Sequence, residues 1–597
     1  MYLEKILCAS DVKKLNIKEL KVLAEEIRAE IVKTVSNNGG HLSPNLGLVE
    51  FTIAMLYVFD VESDKVIFDV GHQSYAYKIL TGRYSNFSSI RQENGISGFP
   101  DISESKYDAF SVGHAGTSIS AGLGYAYARD NLNEDYHVVQ VVGDASFFNG
   151  ENLEALTLND SKPNKFLLVL NDNGMSISKN NNGLYKAISK ITVNRSYTAF
   201  NDFLAKTIGK CFIGKFLRSI KSFTKRVLSS NTIFDGFGLK YVGMFDGHNI
   251  KQLVKILENV KQNKKPTLLH IKTNKGKGFK EAEENPSQFH GVSKDFLPST
   301  NDFSDSVSKI MEKIALKNDK VVAITAGMKD GVGLADFASK FSGKVIDVGI
   351  AESSAVTMAG GMALGGLKPI VFIYSTFLQR AYDQILHDIC LQNLPVVFCL
   401  DRAGFVGSDG KTHQGLFDLS YLSSIPNLKI FAPKSVNEFD NMLNIALELN
   451  SPVAIRYPNG KVDEISDLSP ISNSLKWEIL NEGEKVSVLA VGPRCITLAN
   501  KLLSNGENFT LINARIIKPL DEQILLKIRN DKIIVLEENM VLGGFGNSVL
   551  NFYSLKSINA NVKIVGVEDK FVSHASTSNQ LVSNNLSAEN LLKLIKE

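Results

Sequence analysis

The chain has 597 residues, a formal net charge of +3, 44% apolar residues and 22% charged residues. The length and composition are ordinary for a globular protein of three or four domains. So small a net charge does not indicate binding to nucleic acid. The first 20 residues mix charges early and lack the apolar core of a signal peptide. Five cysteines without a CxxC pair indicate thiols in a reducing cytoplasm, where we expect this protein.

Predicted strands and helices alternate along the chain, which indicates an α/β fold of three doubly wound domains with mainly parallel sheets. We place these domains at residues 1–301, 302–470 and 471–597. The most lipid-like window, "VTMAGGMALGGLKPIVFIY", contains five glycines, a lysine and a proline. It therefore predicts a Gly-rich helix, a turn and a buried strand rather than a membrane span.

Two polar clusters, "GDA" and "NDNGM", each follow an apolar run within residues 137–175. The runs "HVVQVVGD" and "KFLLVLND" predict strands buried on both faces, and "GENLEALTLND" between them predicts a helix. A strand–helix–strand unit makes its strands parallel, so Asp144 and Asn173 fall at carboxyl ends of neighbouring strands. Their oxygens and the helix amino terminus suit Mg²⁺ and a diphosphate, although Asp and Asn are also common turn formers.

A basic segment departs from the α/β pattern. Residues 205–227 carry seven basic side chains, and an apolar set lies at helical spacing: Ile208, Phe212, Phe216, Ile220 and Phe223. A basic amphipathic helix can bind a membrane surface. An ordinary packed helix with a solvated basic face accounts for the same pattern, and we expect no membrane binding.

Several histidines stand in Gly-rich or polar contexts instead of on apolar faces. A lone loop histidine is usually a polar surface residue, but several in glycine-flanked turns indicate a site of proton transfer. No HxxxH spacing is present, which argues against zinc. The histidines are His41, His72, His114, His290 and His413.

Long motifs containing these residues resemble the 1-deoxy-D-xylulose-5-phosphate synthase family, thiamine-diphosphate-dependent relatives of transketolase. The resemblance covers nearly the whole chain. It is carried by "GGHLSPNLG", "FDVGHQSYAYKILTGR", "GHAGTSIS", "LNDNGMSIS", "DVGIAES", "YSTFLQRAYDQ", "DRAGFVGSDGKTHQG", "LGGFGN" and "VEDKFVSHAS". Members of the family condense pyruvate with D-glyceraldehyde 3-phosphate, release CO₂ and form 1-deoxy-D-xylulose 5-phosphate, a precursor of isoprenoids, thiamine and pyridoxal.

The resemblance implies a cofactor and a metal ion, thiamine diphosphate and Mg²⁺. The first domain would hold the diphosphate and the second the aminopyrimidine ring. Asp144, Asn173 and the Met175 carbonyl would bind the Mg²⁺. The implied cofactor contacts are His72, Gly113, His114, Ala115, Ala145, Ser146, Asn173, Phe279 and Glu352.

The resemblance also implies catalytic and substrate-binding roles. Glu352 would bond to the aminopyrimidine ring and favour the imino tautomer that removes the thiazolium C2 proton. His41, His72, His290 and His413 would move protons and stabilise oxyanions. The residues implied on the acceptor side are Tyr374, Arg380, Asp409 and Arg456, where an arginine fork suits a phosphate and Asp409 with His413 could engage the acceptor's oxygens.

The sequence departs from the family pattern at five places. "GDA" replaces GDG at Ala145, "GHAG" replaces GHSS, and "ESSAVT" places Ser353 and Ser354 where the family has EQHAVT. Asn459 in "RYPNG" removes a positive charge of RYPRG, and Phe279 replaces a tyrosine. No change removes a metal ligand or the glutamate.

Three functions remain open on these motifs. The first is the synthase reaction itself. The second is a divergent thiamine-diphosphate enzyme that uses another 2-oxo acid or aldehyde, or a transketolase proper. The third is a catalytically silent relative retained for binding. The resemblance also implies a homodimer.

Overall fold

Apolar strands form the three sheets of the computed structural model, which describes residues 1–158, 162–174, 234–297, 300–465, 471–472 and 475–597. The chain divides into two compact units. The first comprises Met1–Ser88 with Gly98–Phe296, and the second comprises Ser89–Ser97 with Leu297–Glu597. Met175 and the basic segment 205–227 lie outside the described residues.

The first unit contains a five-stranded, fully parallel sheet with the order β1-β2-β3-β5-β4. Its core strands are buried along almost their whole length, which explains why their sequences do not alternate. The strands are β1 (Lys65–Phe68), β2 (Val138–Gly143), β3 (Phe166–Asp172), β4 (Lys240–Asp246) and β5 (Thr267–Lys272).

Helices pack around this sheet. Asn16 caps the first of them, and Glu19 completes a capping box. The described helices of this unit are α1 (Ile17–Asn38), α2 (Ser43–Leu46), α3 (Val49–Val58), α4 (Tyr75–Lys78), α5 (Ser118–Asn131), α6 (Asp144–Phe147), α7 (Gly150–Thr157), α8 (Ile250–Asn263) and α9 (Lys280–Glu284).

The second unit contains a seven-stranded sheet with the order β15-β10-β11-β9-β8-β6-β7, parallel except for β15. The same unit contains a five-stranded sheet with the order β12-β14-β13-β16-β17, which is parallel except for β12. The strands are β6 (Val321–Thr325), β7 (Val345–Asp347), β8 (Lys368–Tyr374), β9 (Val397–Asp401), β10 (Lys429–Phe431), β11 (Val453–Arg456), β12 (Glu478–Asn481), β13 (Val486–Ala490), β14 (Thr510–Asn513), β15 (Ile516–Lys518), β16 (Lys532–Met540) and β17 (Asn561–Val567).

Helices also cover the two sheets of the second unit. They are α10 (Asp302–Lys317), α11 (Ala335–Lys340), α12 (Glu352–Leu364), α13 (Ser375–Leu378), α14 (Asp418–Ser423), α15 (Val436–Glu448), α16 (Gly492–Ser504), α17 (Glu522–Lys527), α18 (Phe545–Leu555), α19 (Thr577–Ser583) and α20 (Ala588–Lys596).

The predicted α/β class with mainly parallel sheets is confirmed. The lipid-like window forms α12 and β8, as expected, and within the described residues no helix is long and apolar enough to cross a membrane. Strand β15 comes from the predicted third domain, 471–597, yet it pairs with β10 of the second sheet. The boundaries at 301 and 470 stay predictions.

Candidate active site

The two polar clusters of the first unit lie at the carboxyl ends of adjacent parallel strands, as predicted. Strand β2 pairs with β3 in a register that places Gly143 beside Asn171. Asp144 is buried and begins α6 directly after β2, and Asn173 follows β3. The Asp144 Oδ1 accepts the Ala145 N–H at 2.8 Å. Its Oδ2 is buried and has no hydrogen-bond partner among the described residues.

The electrostatics of this strand edge favour a bound cation. Burial, and next the negative charge of Asp172, raise the pKa of Asp144 to about 7. The Lys275 ammonium opposes that rise, while its own burial lowers the Lys275 pKa to about 8. A divalent cation would neutralise Asp144 and use its unpartnered oxygen, so the donors fit Mg²⁺.

Asp172 is held in place by its neighbours on the sheet. Its Oδ2 accepts a hydrogen bond from His270 Nε2 at 3.0 Å, and its Oδ1 accepts the Gly174 N–H at 3.0 Å. The other ring nitrogen of His270 is 2.9 Å from the Tyr241 hydroxyl. Because the carboxylate needs a donor from Nε2, the tyrosine hydroxyl donates to Nδ1.

A glycine-flanked turn lies next to this edge, because the Gly116 N–H donates to Asp69 at the end of β1. Gly113, His114 and Ala115 precede α5, and Ala115 is buried. Ser146 lies in α6, one residue after Ala145. Ala145 is not among the residues with positive φ, so its methyl group adds no backbone strain where the family has glycine.

Three predicted histidines come together in the first unit, from distant parts of the sequence. The ring centroids of His41 and His72 lie 5.6 Å apart, and those of His72 and His290 lie 5.1 Å apart. Burial, together with the charges of Lys275, His72 and His41, lowers the pKa of His290 well below its usual value. His290 is therefore neutral near pH 7 and can accept a proton there only at a cost.

Phe279 follows a tight glycine turn. A Cβ at Gly276, where φ is +81°, would lie 2.4 Å from the Ala282 carbonyl carbon, so this turn requires glycine. The Phe279 ring packs 5.6 Å from Phe296 and 5.9 Å from Phe289. These aromatic contacts thus fix the Phe279 ring without the hydroxyl of the tyrosine that the family has at this position.

In the second unit, Glu352 is the buried first residue of α12. Burial raises its pKa, and the charge of Arg380 acts in the opposite direction. The next residue, Ser353, donates its hydroxyl to the Arg380 carbonyl at 2.8 Å. Glu352 is therefore a carboxyl group that can carry a proton at higher pH than an exposed glutamate.

Tyr374, Asp409 and His413 come together in the second unit around two arginines. The Arg402 guanidinium lies over the Tyr374 ring, 4.2 Å from its centroid. Arg91 forms an ion pair with Asp409 and donates to the Ser408 hydroxyl at 2.9 Å. Burial, opposed by Asp409, lowers the pKa of His413 to about 4, so this ring is neutral near pH 7.

Arg456 has a different environment from the one its motif suggests. Its Nε donates to Asp418 Oδ2 at 3.0 Å, and its Nη2 donates to the Glu538 carbonyl at 3.0 Å. The Arg456 guanidinium therefore already donates hydrogen bonds to protein oxygens.

Asn459, which replaces an arginine of the family pattern, has a polar partner. Its side-chain oxygen accepts a hydrogen bond from Asn301 Nδ2 at 3.0 Å.

Sequence reasoning missed four polar residues of these sites. Arg402 stands inside the motif "DRAGFVGSDGKTHQG", and Arg91 stands outside every quoted motif. Neither arginine belongs to a helical or strand periodicity that would have indicated it. Lys275 had a usable signal, since "TNKGKG" is a basic glycine loop directly after a strand. The fourth is Asp69, within "FDVGHQ".

Residues 3–273 match the model of 1-deoxy-D-xylulose-5-phosphate synthase. Residues 300–464 and 475–591 match the transketolase pyrimidine binding domain and the transketolase C-terminal domain. A 1-deoxy-D-xylulose-5-phosphate synthase of Clostridium tetani is 47% identical over 98% of this chain and 97% of its own length. One of Clostridium acetobutylicum is 44% identical over 95% of this chain and 94% of its own.

The chain belongs to the 1-deoxy-D-xylulose-5-phosphate synthase family. Among solved structures, a transketolase from Campylobacter jejuni is 18% identical over 97% of this chain and all of its own, with a TM-score of 0.42. The synthase family membership rests on the sequence relatives, which span almost the entire chain at far higher identity.

A substitution at Asp144 should weaken cofactor binding and stabilise the cofactor-free protein. Asp144→Asn should weaken Mg²⁺-dependent thiamine diphosphate binding by more than about tenfold, because a direct ligand costs at least as much as an outer-shell partner. The same change should stabilise the cofactor-free protein by about 1 kcal/mol, since it removes a buried charge beside Asp172.

Calorimetric titration and urea unfolding without Mg²⁺ measure the two effects. Asp336→Asn, on α11 of the other unit, is the control and should alter neither quantity. Unchanged cofactor affinity in Asp144→Asn would contradict the metal assignment.

Proposed function

We propose that this chain condenses pyruvate with D-glyceraldehyde 3-phosphate, with loss of CO₂, to form 1-deoxy-D-xylulose 5-phosphate. This product would feed isoprenoid, thiamine and pyridoxal synthesis. The observation that carries the proposal is 47% identity to a named synthase over 98% of the chain. The retained Asp144, Asn173 and Glu352 support an active enzyme rather than a silent relative.

The first unit would hold thiamine diphosphate and Mg²⁺. Asp144, Asn173 and the Met175 carbonyl are the proposed ligands of Mg²⁺, which the unpartnered Asp144 Oδ2 supports. When bound, the cofactor supplies a carbon centre that stores the electron pair left by decarboxylation. The proposed cofactor contacts in this unit are His72, Gly113, His114, Ala115, Ala145, Ser146, Asn173 and Phe279.

Glu352 is the proposed proton-handling group toward the aminopyrimidine ring. A carboxyl whose pKa is raised by burial donates a hydrogen bond in its protonated form and takes the proton back when a partner changes tautomer. Ser353 and Ser354 replace larger polar side chains of the family pattern, so Glu352 acts here with smaller neighbours.

Histidines would manage protons at the substrates. His41, His72 and His290 form one cluster, and the neutral His290 imidazole can both donate and accept a hydrogen bond there. His413, with Asp409, would serve the oxygens of the acceptor aldehyde.

Several cationic groups are candidates for the acceptor phosphate. Arg380 and Arg456 are the proposed ones, together with Tyr374 as a lining residue. Arg402, stacked on Tyr374, adds a guanidinium whose planar fork suits a phosphate. Because Arg456 already binds Asp418, it would act mainly by fixing this region.

The thiols of the chain suit the cytoplasm, where we place it. Cys390, Cys399 and Cys495 are buried and form no disulfide. Burial raises the pKa of Cys390 to about 12, so its unreactive thiol form persists at neutral pH.

CO₂ release from pyruvate tests the proposed reaction. With thiamine diphosphate and Mg²⁺, we expect CO₂ release to depend on glyceraldehyde 3-phosphate and to match deoxyxylulose phosphate formation one to one. Aldehyde-dependent CO₂ release from a different 2-oxo acid alone would indicate the divergent enzyme. Turnover with a ketose phosphate as the only donor would indicate a transketolase. Cofactor binding without any turnover would indicate the silent relative.

Glu352→Gln should lower turnover by about 10²–10⁴-fold, since an amide cannot give and regain the proton. It should lower to a similar extent the rate at which bound thiamine diphosphate exchanges its C2 proton for deuterium. The control is Glu312→Gln on α10, whose carboxylate pairs with Lys340 of α11, and which should retain both rates. Near-normal exchange in Glu352→Gln would contradict the assigned role.

A homodimer is the proposed assembly, and exposed apolar side chains on α12 and beside it support it. Helix α12 has no charged residue after Glu352, and Met358 and Leu364 on it are 40% and 68% exposed. Leu391, at the end of the adjacent Gln384–Cys390 segment, is 68% exposed. Exposed apolar side chains are candidates for association surfaces, and self-association is the commonest kind of assembly.

Sedimentation velocity tests this assembly. Met358→Glu with Leu364→Glu should convert a dimer into a monomer, because the paired faces would bury unpaired charges. The control is Leu555→Glu on α18, where the leucine is 87% exposed. A wild-type monomer, or an intact dimer in the double variant, would contradict the assignment.

A further inference from the structure

We infer that Asp69 is the positioning residue that shapes the proposed diphosphate site, holding three cofactor-contact segments in place before thiamine diphosphate binds. The inference rests on the cofactor site proposed above and names a residue that is not among the contacts proposed for that site. It is carried by the hydrogen bonds that converge on this one carboxylate.

Asp69 sits at the same sheet edge as the metal site. It follows β1 directly, and its N–H donates to the Val141 carbonyl of β2 at 2.9 Å. Strand β2 ends at Gly143, immediately before Asp144. The side chain of Asp69 is buried, with 1% of the residue exposed.

Four donors from two other segments point at the Asp69 carboxylate. The Gly116 N–H lies 2.9 Å from Oδ1, and the Ser118 N–H lies 3.1 Å from Oδ2. The Ser146 hydroxyl donates to Oδ1, and Asn152 Nδ2 lies 3.3 Å from Oδ2. The carboxylate therefore joins the start of α5 to the α6–α7 region.

These donors belong to the segments that the proposed site uses. Gly116 ends the "GHAG" turn, which contains the proposed contacts Gly113 to Ala115, and φ at Gly116 is +96°. Ser146 is itself a proposed contact, two residues after Asp144. Asn152 also donates to the Ser146 carbonyl at 2.8 Å, which fixes the α6 backbone from a second side.

The backbone of Asp69 shapes the third segment, which carries His72. The Asp69 carbonyl accepts the Gly71 N–H at 2.6 Å and Gln73 Nε2 at 3.1 Å. Val70 and Gly71, which lie between Asp69 and His72, have φ of +61° and +85°, respectively. One residue thus sets the turn before His72 with its carbonyl and the other two segments with its carboxylate.

The charge of Asp69 is what allows this arrangement. Hydrogen bonds to a carboxylate are about twice as strong as those between neutral groups, and a carboxylate has acceptor sites for all four donors. An asparagine has one oxygen and places an NH₂ group against donors, so at least one of the four would lose its partner, although the Gly116 N–H reaches both carboxylate oxygens. Fixed backbone groups bind a ligand without further ordering cost.

The test compares Asp69→Asn with Asp64→Asn, a matched control at the other end of the same strand. Asp64 is also buried, at 5% exposure, and accepts the Asp60 and His137 N–H groups at 2.8 Å each. Both variants should lose thermal stability. Only Asp69→Asn should raise the Kd of thiamine diphosphate, measured calorimetrically with saturating Mg²⁺, by about 10–100-fold.

Kinetics separate positioning from a catalytic role. At saturating thiamine diphosphate, Asp69→Asn should regain most of the wild-type kcat and keep the KM for pyruvate. An unchanged Kd in Asp69→Asn, with Asp144→Asn weakened, overturns this inference and leaves the site standing. An unchanged Kd in both variants overturns the proposed site itself.

Hydrogen exchange of the wild-type protein decides the question if Asp69→Asn does not fold. The Gly116 and Ser118 amides should exchange slowly in the cofactor-free protein and change little when thiamine diphosphate and Mg²⁺ bind. Fast exchange without cofactor, and protection only with it, would show that the cofactor orders the turn and would overturn the role of Asp69.

Discussion

A buried carboxylate without a complete set of partners is the constraint on which this molecule depends. Asp144 lies where two parallel strands end side by side, and the charge of Asp172 faces it across that edge. Two buried like charges destabilise the fold unless a cation or a proton intervenes. The sheet topology creates this arrangement, because parallel pairing of β2 and β3 brings both strand ends to one edge. This arrangement supports the proposed divalent ion, which would in turn attract a diphosphate.

Burial sets the protonation states of the remaining groups. His290 and His413 are neutral near pH 7 because their pKa values are lowered, whereas Glu352 retains its proton more readily because its pKa is raised. These shifts follow from desolvation acting on groups of opposite charge type. They supply neutral imidazoles and a protonatable carboxyl, which is the combination that proton transfer at neutral pH needs. Burial would thus serve both the proposed metal binding at one site and the proposed proton transfer at the others.

The sequence predicted the buried strands well, because "HVVQVVGD" and "KFLLVLND" are apolar on both faces and the helix between them is amphipathic. It did not predict β1, with four residues, or β15, which pairs antiparallel with a strand 85 or more residues earlier in the chain. Asp144 and Asn173 were predicted because they directly follow strands. Asp69 was not, since its donors lie 47 to 83 residues away and only the folded chain brings them together. For Arg456 the motif suggested a phosphate ligand, and no local pattern reveals that Asp418 binds its guanidinium.

The most direct test of the metal–diphosphate account is a crystal structure with thiamine diphosphate and Mn²⁺ in place of Mg²⁺. Anomalous scattering locates Mn²⁺ independently of any assumption about its ligands. The account predicts one strong peak about 2.1–2.2 Å from an Asp144 oxygen and from the Asn173 side chain, with diphosphate oxygens completing the octahedron. A bound cofactor whose Mn²⁺ lies elsewhere, with Asp144 still unligated, would contradict it.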